Sequence, residues 1–264
     1  MSDLLLVDVG GTNMRYAYCE SGANEIHKSE KISLKNLDNF DTIIGDLIDN
    51  SDLSITNAVF SIAGPKIGNT ISMTNRSFVA NADILLEKFK LDQCYLLNDW
   101  ESIGYSLKGT PEDKIEYIKS GVQINSNSLV LGPGTGLGAA FTSTDSVIAT
   151  ELGNTTNWTS SLLKNFAINN DNGHYKTLED IVSGSGISKL YKSLSGESIS
   201  AEEVIKRFNQ NEDLASNIIN GFIKSLANVL SDAALAYVPG NGIFLAGGLS
   251  RTLLPLIDKE SFKD

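Results

Sequence analysis

The chain has 264 residues, a mass of 28.4 kDa and a formal charge of −11, from 21 basic and 32 acidic residues. Hydrophobic residues make up 41% and charged residues 20%, proportions that exclude a disordered chain. The acidic balance, with lysines scattered and no basic patch, excludes a nucleic-acid partner, because such a chain repels a phosphate backbone. The two cysteines, Cys19 and Cys94, cannot build a disulfide framework or a thiolate metal site. Met1-Ser2-Asp3 carries no basic lead into the apolar run, so no signal peptide is expected. Apolar stretches stay far below the ~20 residues that a membrane span needs. No membrane partner is expected, and the cytoplasm is the expected compartment. At roughly 100–200 residues per domain, the length predicts one large domain or two small ones.

In chain order, Leu4–Val9 reads as a buried strand that stops at Gly10-Gly11, and Met14–Cys19 returns from it as a hairpin around Gly10–Asn13. Glu25–Leu34 reads as a third strand. Leu37, Phe40, Ile43, Ile44, Leu47 and Ile48 then recur at helical spacing. Ala58–Ala63 is a strand closed by Gly64-Pro65, and Thr70–Met73 a short one. Ala82–Phe89 reads as a helix, and Cys94–Leu97 as a buried strand ending at Asn98-Asp99, ahead of a helix over Trp100–Leu107. The second half repeats the plan. Ser128–Leu131 and Ala139–Thr142 flank the glycine-rich turn Gly132–Gly138, and Val147–Thr150 adds a strand. Asn211–Tyr237 carries the longest helical pattern, and Ile243–Ala246 is a last strand closed by Gly247-Gly248, with a helix from about Leu249. Two hairpin–strand–helix units predict an α/β chain of two halves, a small one over 1–108 and a larger one over 109–264, with a cleft between them and Gly109–Pro111 as hinge.

Four motifs carry chemistry. In Asp8-Val9-Gly10-Gly11-Thr12-Asn13 a strand carboxylate precedes a glycine turn and a hydroxyl. Glycines let backbone amides close on an anion, and Asp8 is placed to hold Mg²⁺ directly or through water. The bland alternative is a plain hairpin. Gly132-Pro133-Gly134-Thr135-Gly136-Leu137-Gly138 again suits phosphate between two strands. It misses the dinucleotide spacing, and no P-loop signature occurs anywhere. Ala246-Gly247-Gly248 permits close approach of a nucleotide or, as the simpler reading, of a neighbouring helix. Asn98-Asp99 closes a buried strand, where α/β sheets bind ligands. Asp99 there can take a proton from an attacking hydroxyl, or serve as a helix N-cap.

The ordered set Asp8–Asn13, Ser61–Pro65, Met73–Asn75, Asn98-Asp99, Gly132–Gly138, Glu151, Glu179–Gly184 and Ala246–Gly248 resembles bacterial glucokinase over nearly the whole chain. That family is the hexokinase branch of the two-lobed actin-like ATPase (ribonuclease H-like) fold. The resemblance implies ATP-dependent phosphorylation of glucose to glucose 6-phosphate, with ATP and Mg²⁺ as cofactors, a small-molecule sugar as substrate and a homodimer as assembly. It gives Asp99 the role of catalytic base on the sugar 6-hydroxyl. Asn98, Glu151 and Glu179 match its sugar contacts, with Asn75 and Asn154 beside them. Asp8, Gly10, Gly11, Thr12 and Asn13 look like its first phosphate loop. Gly132, Gly134, Thr135 and Gly136 look like the second, and Gly247 and Gly248 like its adenosine motif.

Two departures are visible. Family members carry Glu-Gly-Gly-His where this chain reads Glu151-Leu152-Gly153-Asn154, and they usually continue into a C-terminal helix beyond the Ala-Gly-Gly motif. Asn still donates and accepts hydrogen bonds, so sugar binding is expected to be re-specified or weakened rather than lost. The histidines are His27 and His174, and His174 is expected to be an exposed loop residue. The alternatives are a kinase for another hexose and a non-catalytic sugar- or nucleotide-binding homologue.

Overall fold

The computed structural model describes residues 3–10, 13–20, 22–23, 25–33, 40–73, 77–156, 159–169 and 173–258. Gly11, Thr12 and Asn75, and Leu34 and Leu37 of the predicted early elements, lie outside the described residues. The chain divides into two compact units, Met1–Gly109 and Thr110–Asp264.

In the first unit β1 (Asp3–Val9) and β2 (Asn13–Glu20) form an antiparallel hairpin, and β3 (Lys28–Ser33) extends it. The predicted third strand starts later than Glu25, at Lys28. Its mostly exposed, charge-bearing sequence suits an edge that should not recruit further strands. Helix α1 (Phe40–Asp49) buries Phe40 and Ile44, and β4 (Ile55–Ile62) then returns parallel to β1. Three short strands, β5 (Lys66–Ile67), β6 (Thr70–Ser72) and β7 (Val79–Asn81), make a separate antiparallel sheet. Helix α2 (Ala82–Phe89) is capped by Asn81, whose side chain accepts from the amides of Asp83 and Ile84. Strand β8 (Gln93–Asn98) completes the order β3-β2-β1-β4-β8, and α3 (Asp99–Ser106) follows without a gap. The core of this unit includes Leu5, Met14, Ile44, Phe60, Ile62 and Ile71, all fully buried.

The register has a functional consequence. Val9 pairs with Ile62, and Ile62 with Asn98, across three parallel strands. The carboxyl ends of β1, β4 and β8 therefore lie side by side, with Asp8 and Asn98 at two of them, on the edge where open α/β sheets bind ligands.

The second unit holds β9 (Ser128–Pro133), β10 (Leu137–Thr142) and β11 (Val147–Thr150) as an antiparallel meander, with β12 (Gly242–Leu245) parallel to β9. All six residues of β9 are buried, as befits a central strand covered on both faces. A single-turn helix α4 (Thr159–Leu162) precedes α5 (Gly184–Ser195), α6 (Ala201–Asn209) and the 25-residue α7 (Asp213–Tyr237). Ile218, Phe222, Leu226, Val229 and Ala233 form the buried stripe of α7, at the spacing read from the sequence. The last helix, α8 (Gly248–Leu253), starts one residue before the predicted Leu249. The strands reach further into the glycine segment than expected, so Gly132–Gly138 is not all turn. Leu137 pairs with Pro133 and only Gly134, Thr135 and Gly136 bridge them.

Candidate active site

In the first unit the Asp8 carboxylate sits near the end of β1, with Arg15 Nη1 3.1 Å from its Oδ2 and both side chains about half exposed. The Gly10 amide donates to the Asn13 carbonyl at 2.9 Å and closes the hairpin. Asn98 and Asp99 occupy the junction between β8 and α3. The structure corrects the alternative reading in which Asp99 caps the helix: the cap is Asn98. Its Oδ1 accepts from the amides of Trp100 at 2.9 Å and Glu101 at 3.4 Å, and its Nδ2 donates to the Gly64 carbonyl at 2.8 Å. The Asn98 amide in turn donates to Glu101 Oε2 at 3.1 Å, completing a capping box. Asp99 is thereby the first residue of the helix. It is half-buried, and its Oδ1 accepts from the Trp100 amide at 3.0 Å. A carboxylate in the first turn of a helix faces the unpaired amides of the helix start.

In the second unit the glycine turn, Glu151, Asn154 and Glu179 come together. Glu179 Oε2 accepts from the Leu137 amide at 3.3 Å, immediately after the turn. A Cβ built on Gly136 would stand 2.5 Å from that oxygen, so the position must be glycine for Glu179 to lie where it does. The turn is tied from beneath as well. The amide of Gly184, which opens α5, donates to the Gly134 carbonyl at 2.7 Å. Ser183 caps the same helix by accepting from the Gly186 amide, and its hydroxyl donates a hydrogen bond to the Glu179 carbonyl at 2.6 Å. Asn154 Nδ2 donates to Glu151 Oε2 at 2.8 Å, and Leu152 between them is buried in the core.

Gly247 has φ +99, a left-handed conformation that disfavours any side chain, and its Cα region faces the Pro133 carbonyl at the start of the glycine turn. Nothing lies within 4 Å of a Cβ built on Gly248. The simpler reading, glycines that let a helix pack close, therefore gives way to backbone geometry at Gly247 and open space at Gly248. His174 is exposed, as expected.

A scan against protein-family models matches glucokinase over residues 5–264. The chain belongs to the glucokinase family. The glucokinase of Agrobacterium fabrum (strain C58 / ATCC 33970) is 26% identical, over 98% of this chain and 81% of its own. Among solved structures, a glucokinase from an Antarctic psychrotroph is similar at a TM-score of 0.78 and 24% identity, over 97% of this chain and 85% of its own. A glucokinase from Balamuthia mandrillaris, solved with glucose, gives 0.74 at 21% identity, over 99% and 84%. The family carries the α/β actin-like ATPase fold, and this kinase is an ATP-dependent hexose kinase that phosphorylates glucose. Among the described residues, no helix is long and apolar enough to cross a membrane.

Reading the sequence for chemistry missed the partners that hold the site. Glu101, Lys66 and Arg15 stand in none of the motifs singled out, and Ser183 stands only inside the segment Glu179–Gly184 without a role of its own. The signal for Glu101 was present: Asn98-Asp99-Trp100-Glu101 has the cap-x-x-Glu spacing of a capping box. Lys66 acts through a tertiary contact that no local pattern announces, whereas Ser183 is a local N-cap, three residues before the Gly186 amide that it accepts from.

Proposed function

We propose that Asp99 is the base of the glucokinase reaction in this chain. The observation that carries this is its place, a carboxylate at the first helical position beyond β8, fixed by a neighbouring cap rather than spent as the cap itself. The sugar O6 attacks the γ-phosphorus of ATP, the bond from that phosphorus to the ADP oxygen breaks, and the O6 proton passes to the Asp99 carboxylate. Phosphoryl transfer asks the protein mainly for positioning and charge neutralisation. Glu151, Glu179 and the remaining Asn98 donor, with Asn75, supply hydrogen bonds to sugar hydroxyls. The turns at Gly10–Asn13 and Gly134–Gly136 supply backbone amides for phosphate, and Gly247-Gly248 leaves room for the nucleoside.

Mg²⁺ fits these residues as an ion carried by the nucleotide. It takes one or two carboxylates plus substrate phosphates and keeps several waters. Asp8 offers one half-exposed carboxylate beside the first turn. No cluster of three potential ligands gathers elsewhere among the described residues. When bound, the ion would neutralise charge on the transferred group. The substrate ATP makes the cytoplasm the working compartment.

Asp99→Asn tests the reading. It keeps shape and the bond from the Trp100 amide but loses the proton acceptor. Turnover is expected to fall by a factor on the order of 100 or more, with glucose affinity little changed. A second reading, preference for a different hexose, is favoured by Asn154 standing against Glu151 in the sugar set. Turnover across a hexose panel separates the two.

A further inference from the structure

We propose that Lys66 and Glu101 are positioning residues for this reaction: together they hold Asn98, and through it the Asp99 carboxylate, in its working place. The proposal rests on Asp99 being the base and names no group that touches the sugar.

The Glu101 side chain is only 10% exposed. Its Oε2 accepts from the Asn98 amide, and Lys66 Nζ lies 3.3 Å from both of its carboxylate oxygens. Lys66 belongs to β5, two residues after Gly64, whose carbonyl takes the Asn98 side-chain amide. One short segment, 64–66, thus grips the strand–helix junction twice, through a carbonyl on Asn98 and through a lysine on Glu101. That segment is itself seated against β6: Gly64 has φ +152, and a Cβ there would meet the Ser72 carbonyl at 2.1 Å.

A capping box needs no burial and no counter-ion; an exposed Glu or Gln serves. Here the Glu is buried, which is unfavourable unless a charge partner and hydrogen bonds compensate. A lysine from another sheet provides the partner. The α3 helix has eight residues and little length to stabilise. What the arrangement adds is a fixed rotamer at Asn98 and Glu101, on either side of the carboxylate whose placement decides turnover. Misplacement by about 1 Å lowers rates on the order of 100-fold.

The test compares Lys66→Met, Lys66→Arg, Glu101→Gln and Asp99→Asn, assayed with Mg-ATP and glucose at a temperature where circular dichroism shows each variant folded. Lys66→Met is expected to lower kcat by roughly 10- to 100-fold. Its KM for ATP should stay within about twofold, the mark of a lost transition-state alignment. Lys66→Arg should restore most of kcat, because the cation returns. Glu101→Gln should fall between the two, since its amide oxygen still accepts from Asn98. A merely structural pair would lower the melting temperature of Lys66→Met and leave kcat of the folded protein at the parental value, and that result overturns the proposal. Failure of Lys66→Arg to restore kcat overturns it too. Parental turnover in Lys66→Met beside an inactive Asp99→Asn removes the positioning role alone. Parental turnover in Asp99→Asn removes the base itself, and the positioning role with it.

Discussion

At the scale of single residues, Asn154 is a hydrogen-bond donor to Glu151 where relatives by resemblance carry histidine. A carboxylate held by a donor keeps one oxygen fixed for a sugar hydroxyl. Asn154→Ala releases it and is expected to raise the KM for glucose about three- to tenfold with kcat little changed, the range for one ordinary hydrogen bond lost behind the contact. Asn154→His should lie below Asn154→Ala, because imidazole restores a donor. An unchanged KM in Asn154→Ala, read from initial rates over a glucose series, would show that Glu151 is held by other means. Glu179 makes a second case. Its carboxylate receives the Leu137 amide and abuts Gly136. If Glu179 is a sugar contact as proposed, the same carboxylate that braces the glycine turn would link the two substrates. Gly136→Ala places a Cβ against that carboxylate and should raise the KM for both glucose and ATP. A change in one KM alone would separate the two roles.

At the scale of elements, α5 is docked by its first turn. Asp180 sits just before it, in the short turn that carries Glu179, and reaches forward to Lys189 at 2.7 Å. Burial pushes the Asp180 carboxyl up, but the Lys189 ammonium and the amides of Thr177 and Lys176 outweigh it and hold the group below the usual carboxylate range. A lowered folded-state value means stability that is fully present above the ordinary carboxylate range and is lost as pH falls through the lowered value. Asp180→Asn should therefore lower the melting temperature at neutral pH and converge with the parent in strong acid. A constant gap at every pH, seen by calorimetry, would contradict this.

The same elements show what a sequence can and cannot reveal. The stripe on α7 and the two glycine hairpins were legible because burial periodicity and turn chemistry are local. The helices α5 and α6 were not. Gly184-Ser185-Gly186 reads as loop punctuation, yet Gly186 is buried within the first turn of α5, capped by Ser183. In α6 a local signal was present, Ser200 ahead of Glu203 and then Val204, Ile205 and Phe208 on one face, but the segment is short and highly charged. The strands β5 and β7, two and three residues long, are set by pairing with β6 rather than by their own sequence. At the site, residue types were legible and their holders were not. Asn98 reads as a ligand in the sequence and is a helix cap in the structure, a second role that the same amide can fill.

At the scale of the whole molecule, the two cysteines report on the integrity of the first unit. Both are free, Cys19 buried and Cys94 half-buried. Burial pushes the Cys94 thiol up to about 11, with Asp83 adding to the shift, and raises Cys19 as well. Little thiolate exists at neutral pH, so alkylation of the native protein should be slow and should accelerate as pH approaches the Cys94 value. Rapid labelling at neutral pH would show that the unit opens readily. Glucose or ATP, by stabilising the folded chain, should slow whatever labelling remains.

The central claim is that this chain phosphorylates glucose with Asp99 as base. It is tested most directly by ADP release from Mg-ATP in the presence of glucose, for the parental protein and Asp99→Asn side by side. The account predicts glucose-dependent ADP release in the parent and its near-complete loss in the variant, with glucose still bound by both. Glucose-dependent release that survives Asp99→Asn at the parental rate would contradict it.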